Sequence, residues 1–233
     1  MKTEISVFLP TRKGSERVPN KNTQDFAGIN NGLLGIKLNQ LIKLKEIGEI
    51  VLSSNDPKSL EIGTLLAQTE KRIKVIERPD SLALSSTSLI DLVTYVPRIC
   101  SLEHILWTHV TSPFCDEFAY ELAIKTYWQE LENNYDSLMS GKRFQNFLWD
   151  NQKHDLVNRV NQEKWPRTQD LATWFEINSA IFIASKEIYL NQKDRIGKRP
   201  FLLEQSTLQS FDIDWPDDFK MGEFMYREVR SEK

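Results

Sequence analysis

Strand-like and helix-like segments alternate along the first two-thirds of this chain, and that rhythm limits its fold more than any other feature. Residues 5–10 (ISVFLP) read as a strand. Residues 33–48 place Leu34, Leu38, Leu41, Ile42 and Lys45 at helical spacing and end in glycine, which predicts a helix. Residues 49–56 read as a second strand, and Pro57 opens a second helix, where a missing N–H costs nothing. A strand (72–79), a helix (86–100), a strand (104–114), a long helix (116–132) and a strand (137–141) follow. The expectation is an α/β, Rossmann-like fold, a mostly parallel sheet with helices on both faces. Ligands of such sheets sit at the carboxyl ends of the strands, near a switch in strand order.

After Gly141 the rhythm breaks. Residues 142–175 are polar and aromatic with neither period sustained, and a stretch of this length serves function or covers another subunit. The sheet pattern resumes over 176–185, and 210–229 reads as a short strand leading into a helix. A single domain over 1–233 with an inserted arm is the expected organisation.

The net charge of −3 argues against nucleic acid and membrane surfaces as partners. Cys100 and Cys115 have no CxxC spacing and read as buried thiols of a reducing compartment. With no signal-peptide pattern and no membrane-length apolar run, a soluble, cytoplasmic protein is expected. No two glycines stand two apart, which argues against the GxGxxG dinucleotide turn; the P-loop, HExxH and GxSxG patterns are also missing.

Two features carry chemistry. The loop after the first strand, TRKGSERVPNKN (residues 11–22), gathers Arg12, Lys13, Arg17 and Lys21 around Gly14 and Pro19, where a parallel sheet binds phosphates. Its alternative reading is a solvated turn. Near the other end, FDIDWPDD (residues 211–218) carries Asp212 and Asp214, which share one side of an extended segment and repel unless a cation lies between them. Magnesium suits such a pair, because it takes one or two carboxylates together with substrate phosphates. Asp217 and Asp218 fit a helix N-terminus. Together these features point to a nucleoside triphosphate with magnesium.

With RPDSLAL (78–84), HVTSPF (109–114) and PRTQDLATWFEINSAIFIA (166–184) added, the order of motifs resembles the acylneuraminate cytidylyltransferase family, the CMP-sialic acid synthetases, which are related to the CMP-Kdo synthetases. The resemblance runs to about Arg227. It implies that Arg12, Gly14, Ser15, Lys21 and Asn22 hold the nucleotide of CTP, with Arg17 and Pro19 also matching. It implies that Arg78 and Ser88 read the base, and that Asp212 and Asp214 bind Mg2+. His109, Thr111, Ser112, Arg167, Gln169 and Asn178 would face a sugar acid, with Arg167 pairing with its carboxylate. Arg12, Lys21, Asp212 and Asp214 would carry catalysis. The arm over 142–175 would be a dimerisation element, giving a homodimer. The implied reaction is CTP-dependent activation of a 3-deoxy-2-keto sugar acid, such as a sialic, legionaminic or pseudaminic acid, for surface polysaccharide or glycoconjugate synthesis. A CMP-Kdo synthetase and a non-catalytic nucleotide-binding homologue stand as alternatives. Three positions depart from the family pattern: Thr11 replaces alanine, Ser85 replaces aspartate and His109 replaces glutamine.

Overall fold

A computed structural model describes residues 4–84 and 86–231. Its core is a seven-stranded sheet. The strands are β1 (Ile5–Pro10), β2 (Ile47–Ser54), β3 (Ile73–Glu77), β4 (His104–Trp107), β5 (Ser137–Phe144), β8 (Trp174–Ser185) and β9 (Pro200–Gln205). They lie in the order β3-β2-β1-β4-β8-β5-β9, and only β8 runs antiparallel to its neighbours. The order turns outward in both directions from β1 and β4, so the expected switch point lies between them.

Apolar residues line both faces of the strands, and helices cover both, as the rhythm implied. On one face α1 (Gly32–Leu41), α2 (Pro57–Ala67), α4 (Glu117–Glu132) and α6 (Pro216–Ser231) bury Leu34, Leu38, Ile62, Ala123 and Phe219 against Val7, Leu9 and Leu52. On the other, α3 (Leu89–Ile99) and α5 (Lys186–Gln192) pack Val93, Val96 and Tyr189 on Phe8, Val51, Trp107 and Phe182. Fully burying a Val, Leu, Ile or Phe side chain contributes roughly 1.5–3 kcal/mol. Gly63 lets α2 approach the sheet, since a Cβ there would stand 2.4 Å from Leu52.

Four expectations need correction. The first helix stops at Leu41 although its apolar spacing continues, because the Arg72 guanidinium draws the carbonyls of Ile42, Leu44 and Ile47 into a tight turn. The fourth strand ends at Trp107. Residues 211–214 are extended but unpaired as a strand: Ile213 N–H donates to Thr111 O at 2.9 Å, while its carbonyl accepts from Lys21 Nζ at 2.5 Å. Strand β9, unforeseen, starts at Pro200 on the sheet edge, where a missing N–H is tolerated.

Beyond a register shift after Met139, β5 and β8 pair Gly141–Phe144 with Trp174–Ile177, and past Lys142, where β9 leaves off, they run on as a two-stranded ribbon. The chain between them forms a small hairpin of β6 (Trp149–Asp150) and β7 (Asp155–Leu156). Both cysteines are buried and free, and His154 lies exposed. No helix among the described residues is long and apolar enough to cross a membrane.

Candidate active site

The loops leaving β1, β3 and β4 and the extended 211–214 segment enclose a cavity of about 580 Å³ at the switch point. Each wall follows from local chemistry. Thr11 N–H still bonds to Ser53 O of β2, after which the chain leaves the sheet. Gly14 turns it with φ +75°, a conformation that favours glycine. Lys13 N–H donates to Asn55 Oδ1, and Asn55 Nδ2 donates to Asp80 Oδ1, tying the loops after β1, β2 and β3 together. Asn22 Nδ2 reaches back to Arg12 O at 3.4 Å, closing the loop on itself.

Five cations (Arg12, Arg17, Lys21, Arg78 and Arg195) and three carboxylates (Glu16, Asp212 and Asp214) line the cavity. Positive charge thus concentrates here in a chain whose net charge is −3. Arg17 Nη2 bonds to Asp214 Oδ1 at 3.0 Å, and its guanidinium lies 4.8 Å from the Trp215 ring centre. Lys21, buried, adds a 3.4 Å contact to the same oxygen. Arg12 makes no side-chain hydrogen bond or ion pair among the described residues. Arg78 is buried to 4% exposure; Nη2 donates to Thr11 O at 2.5 Å, while Nε and Nη1 have no partner. Burial and, further, the charge of Arg12 push the Arg78 guanidinium down to about 10. A cation held so expensively suits an anion or a carbonyl-bearing base brought in from outside.

Asp212 faces the same cavity. Burial raises its pKa, the charge of Asp214 raises it further, and hydrogen bonding from Thr111 with the nearby Lys21 opposes the rise. Ser112 Oγ approaches Asp212 Oδ1 at 3.4 Å. Two mutually repelling carboxylates on one wall are a fit for a divalent cation. No third His, Cys, Asp or Glu gathers with them among the described residues.

Beneath this wall, Lys37 of α1 is wholly buried and spends its three N–H donors on Ser112 O, Cys115 O and Tyr120 Oη at 2.8–2.9 Å. It anchors the turn after β4. That turn delivers His109, whose Nε2 accepts the Trp107 indole N–H at 3.0 Å. Burial, with Arg195, Lys21 and Lys37 adding to it, pushes His109 down to about 3. The ring is therefore neutral, and its remaining proton sits on Nδ1.

Ten of the expected site residues meet in the cavity: Arg12, Ser15, Lys21, Asn22, Arg78, Ser88, His109, Thr111, Asp212 and Asp214. Ser88 also caps α3. Gly14 lines a second, much smaller hollow, and Ser112 reaches the cavity through its contact with Asp212. Ser85 lies outside the described residues. Three others do not line this cavity. Arg167, 73% exposed, sits on the arm in a two-pronged bond to Asp170, and Gln169 is beside it, both away from the cavity. Asn178 is buried and its amide saturated: Nδ2 donates to Gln205 and Ser210, while Oδ1 accepts from Ser140 Oγ and Ala180 N–H. It holds the bulge that puts Ser179, at φ +56°, on the cavity wall. Arg195, from the turn after α5, was not foreseen; KDRIGKRP reads as a solvated turn and gives no local signal.

A family model described as cytidylyltransferase matches residues 6–229. An N-acylneuraminate cytidylyltransferase of Streptococcus agalactiae is 25% identical over 216 residues, covering 91% of this chain and 51% of its own. The chain thus spans about half the length of that relative. A pseudaminic acid cytidylyltransferase of Campylobacter jejuni is 21% identical over 228 residues, covering 94% of this chain and 95% of its own. Among solved structures, a CMP:2-keto-3-deoxy-manno-octonic acid synthetase complexed with CTP superposes with a TM-score of 0.67 at 11% identity, covering 97% of this chain and 99% of that one. A 4-diphosphocytidyl-2C-methyl-D-erythritol synthase from Anaerococcus prevotii gives 0.69 at 13% identity, covering 97% of each chain. At these identities the two structures show a shared fold.

Proposed function

The chain belongs to the cytidylyltransferase family, and on that premise we propose that it transfers the cytidylyl group of CTP to a 3-deoxy-2-keto sugar acid, a nonulosonic acid such as a sialic, legionaminic or pseudaminic acid. The observation that carries this reading is the meeting, in one cavity, of the cationic loop after β1 with the aspartate pair, joined through Arg17 and Asp214. The anomeric hydroxyl oxygen of the acid attacks the α-phosphorus of CTP, the bond from that phosphorus to the bridging oxygen breaks, and pyrophosphate leaves. The proton lost by the hydroxyl passes to solvent.

Phosphoryl-type transfer depends chiefly on positioning and on neutralising charge. Arg12 and Lys21 hold the triphosphate and stabilise the charge that builds on the leaving pyrophosphate. Arg78, with two unpartnered buried nitrogens, and Ser88 at the start of α3 face the nucleoside. Asp212 and Asp214 would hold magnesium, which when bound supplies neutralisation of the phosphates and acidifies the attacking hydroxyl. Arg17 and Lys21 keep Asp214 in place.

The arm suits a second copy of the chain. Trp149, Trp165 and Trp174 expose 53%, 64% and 46% of their surfaces on it, a concentration that a covered interface explains better than solvent does. A homodimer, working in the cytoplasm, completes the reading. Sedimentation equilibrium of wild-type protein and of a Trp149→Ser/Trp165→Ser variant tests the interface, with dissociation of the variant expected.

The reaction is tested by pyrophosphate release from CTP and magnesium against N-acetylneuraminic, legionaminic and pseudaminic acids and Kdo. Release with CTP and one nonulosonic acid is expected. Release with Kdo alone would move the acceptor class, and silence across the panel with CTP still bound would overturn the transfer.

A further inference from the structure

The five cations of the cavity are not equivalent. Arg17 and Lys21 share Asp214, and Arg78 is tied to Thr11 O. Only Arg12 and Arg195 make no side-chain hydrogen bond or ion pair among the described residues, and they stand on different walls. Arg12 belongs to the loop after β1, whereas Arg195 lies over β4 and β8. There its Cζ stands 3.8 Å from the Phe182 ring centre and 4.8 Å from that of Trp107. Those rings belong to residues paired directly across the two strands. The turn that delivers it is fixed by Asp194, whose Oδ1 accepts the backbone N–H of both Arg195 and Ile196. Burial lowers the pKa of its guanidinium; the nearby Tyr189 and Asp194 oppose that fall, yet neither is bonded to the guanidinium.

We propose that Arg195, with the Nδ1–H of His109, forms the subsite that binds the carboxylate of the acid substrate. The inference rests on the proposed transfer reaction and gives its acceptor end a residue. A guanidinium held over aromatic rings spends none of its N–H groups on them, and it can offer two parallel N–H donors matched to a planar carboxylate. His109 supplies a further neutral donor, its tautomer fixed by Trp107. One unpaired cation on the loop and one over β4 and β8 match the two anions the reaction brings together, a triphosphate and a sugar acid. Arg167, the expected partner of that carboxylate, is already bonded to Asp170 outside the cavity.

The test compares wild type, Arg195→Lys and Arg195→Met. The acceptor is whichever of N-acetylneuraminic, legionaminic or pseudaminic acid or Kdo releases pyrophosphate, used as the free acid and as its methyl ester. Arg195→Met is expected to raise the KM for the acid by about tenfold or more, with the KM for CTP within about twofold, the scale of one lost charge-assisted pair. Wild type should prefer the acid to the ester, and that preference should vanish in Arg195→Met and return in part in Arg195→Lys. A merely structural role would not move the ratio of acid to ester. Calorimetric CTP binding checks that each variant is folded. An unchanged ratio, or a loss confined to CTP affinity, would overturn the assignment and return Arg195 to the nucleotide. Absence of turnover with every acid in wild type would overturn the transfer reaction first, and this subsite with it.

Discussion

Arg17 meets Asp214 at 3.0 Å and Arg167 meets Asp170 at 2.7 Å, yet the first pair spans 197 residues of sequence and the second spans three. The distances alone would rank them together. The Arg167 pair closes within one 3-10 turn on an exposed arm and needs nothing else of the fold. The Arg17 pair exists only when β1, the turn after β4 and the 211–214 segment have come together, so it reports an assembled site. Its carboxylate has a second cation, Lys21, and a neighbouring carboxylate, Asp212, whose pKa burial raises and the charge of Asp214 raises further. Long-range convergence of opposed charges, rather than bond length, distinguishes the pair at the cavity from the pair on the arm.

The largest test of that distinction is Asp212→Asn. The side chain keeps its size and its contact with Ser112 while losing the charge that pairs with Asp214. Turnover is expected to fall by at least about 10²-fold, the scale on which removing electrostatic stabilisation of a transition state is felt. Circular dichroism and thermal melting should show the fold retained. Activity within tenfold of wild type would remove the aspartates from the chemistry and reduce the Arg17 pair to a surface tie.

A smaller effect separates binding from folding. Arg78→Met replaces a buried cation whose Nε and Nη1 lack partners by an apolar chain. CTP affinity should drop by about tenfold, or about 1.4 kcal/mol. The melting temperature should hold or rise, because an uncompensated buried charge is removed. A fall in melting temperature with unchanged CTP affinity would make Arg78 a structural strut.

The two regions also differ in how readable they were. The loop after β1 announces itself locally, since glycine, proline and clustered cations suit only a turn, and the paired aspartates announce a cation by their repulsion. The extended 211–214 segment was read as a strand because its alternation is real: Ile213 is buried while both aspartates face the cavity. Its hydrogen bonds, however, go to Thr111 and to the Lys21 side chain, partners no local pattern reveals. Asn178 carried a ligand's residue type but spends its amide on Ser140, Gln205 and Ser210. Arg195 was invisible because its meaning comes from two rings on distant strands.

Lys37 asks whether the assembled wall is fixed from beneath. Burial lowers its pKa from 10.5 to about 8 in the folded chain. Between those values the unfolded chain binds more protons than the folded one, so wild-type stability should rise with pH through that window. The gain is at most about 3 kcal/mol and disappears below pH 8 as both states become protonated. Lys37→Met should lack it, and urea titrations of both proteins at several pH values give the difference with other titrating groups cancelled. A difference flat from pH 8 to 10.5 would mean that water reaches the ammonium and that the turn after β4 is not held this way.

Arg167→Ala gives the smallest expected effect and closes the comparison from the other side. Arg167 is 73% exposed and Asp170 35%, so solvent screens most of the attraction. Urea midpoints should be nearly unchanged, and CTP affinity measured by calorimetry should stay within about twofold of wild type. The same substitution at Arg17 should weaken CTP binding measurably, since it frees Asp214 and removes a cation from the cavity wall. If the two alanine variants behaved alike, sequence separation would lose its value as a guide to which charge pairs belong to the site.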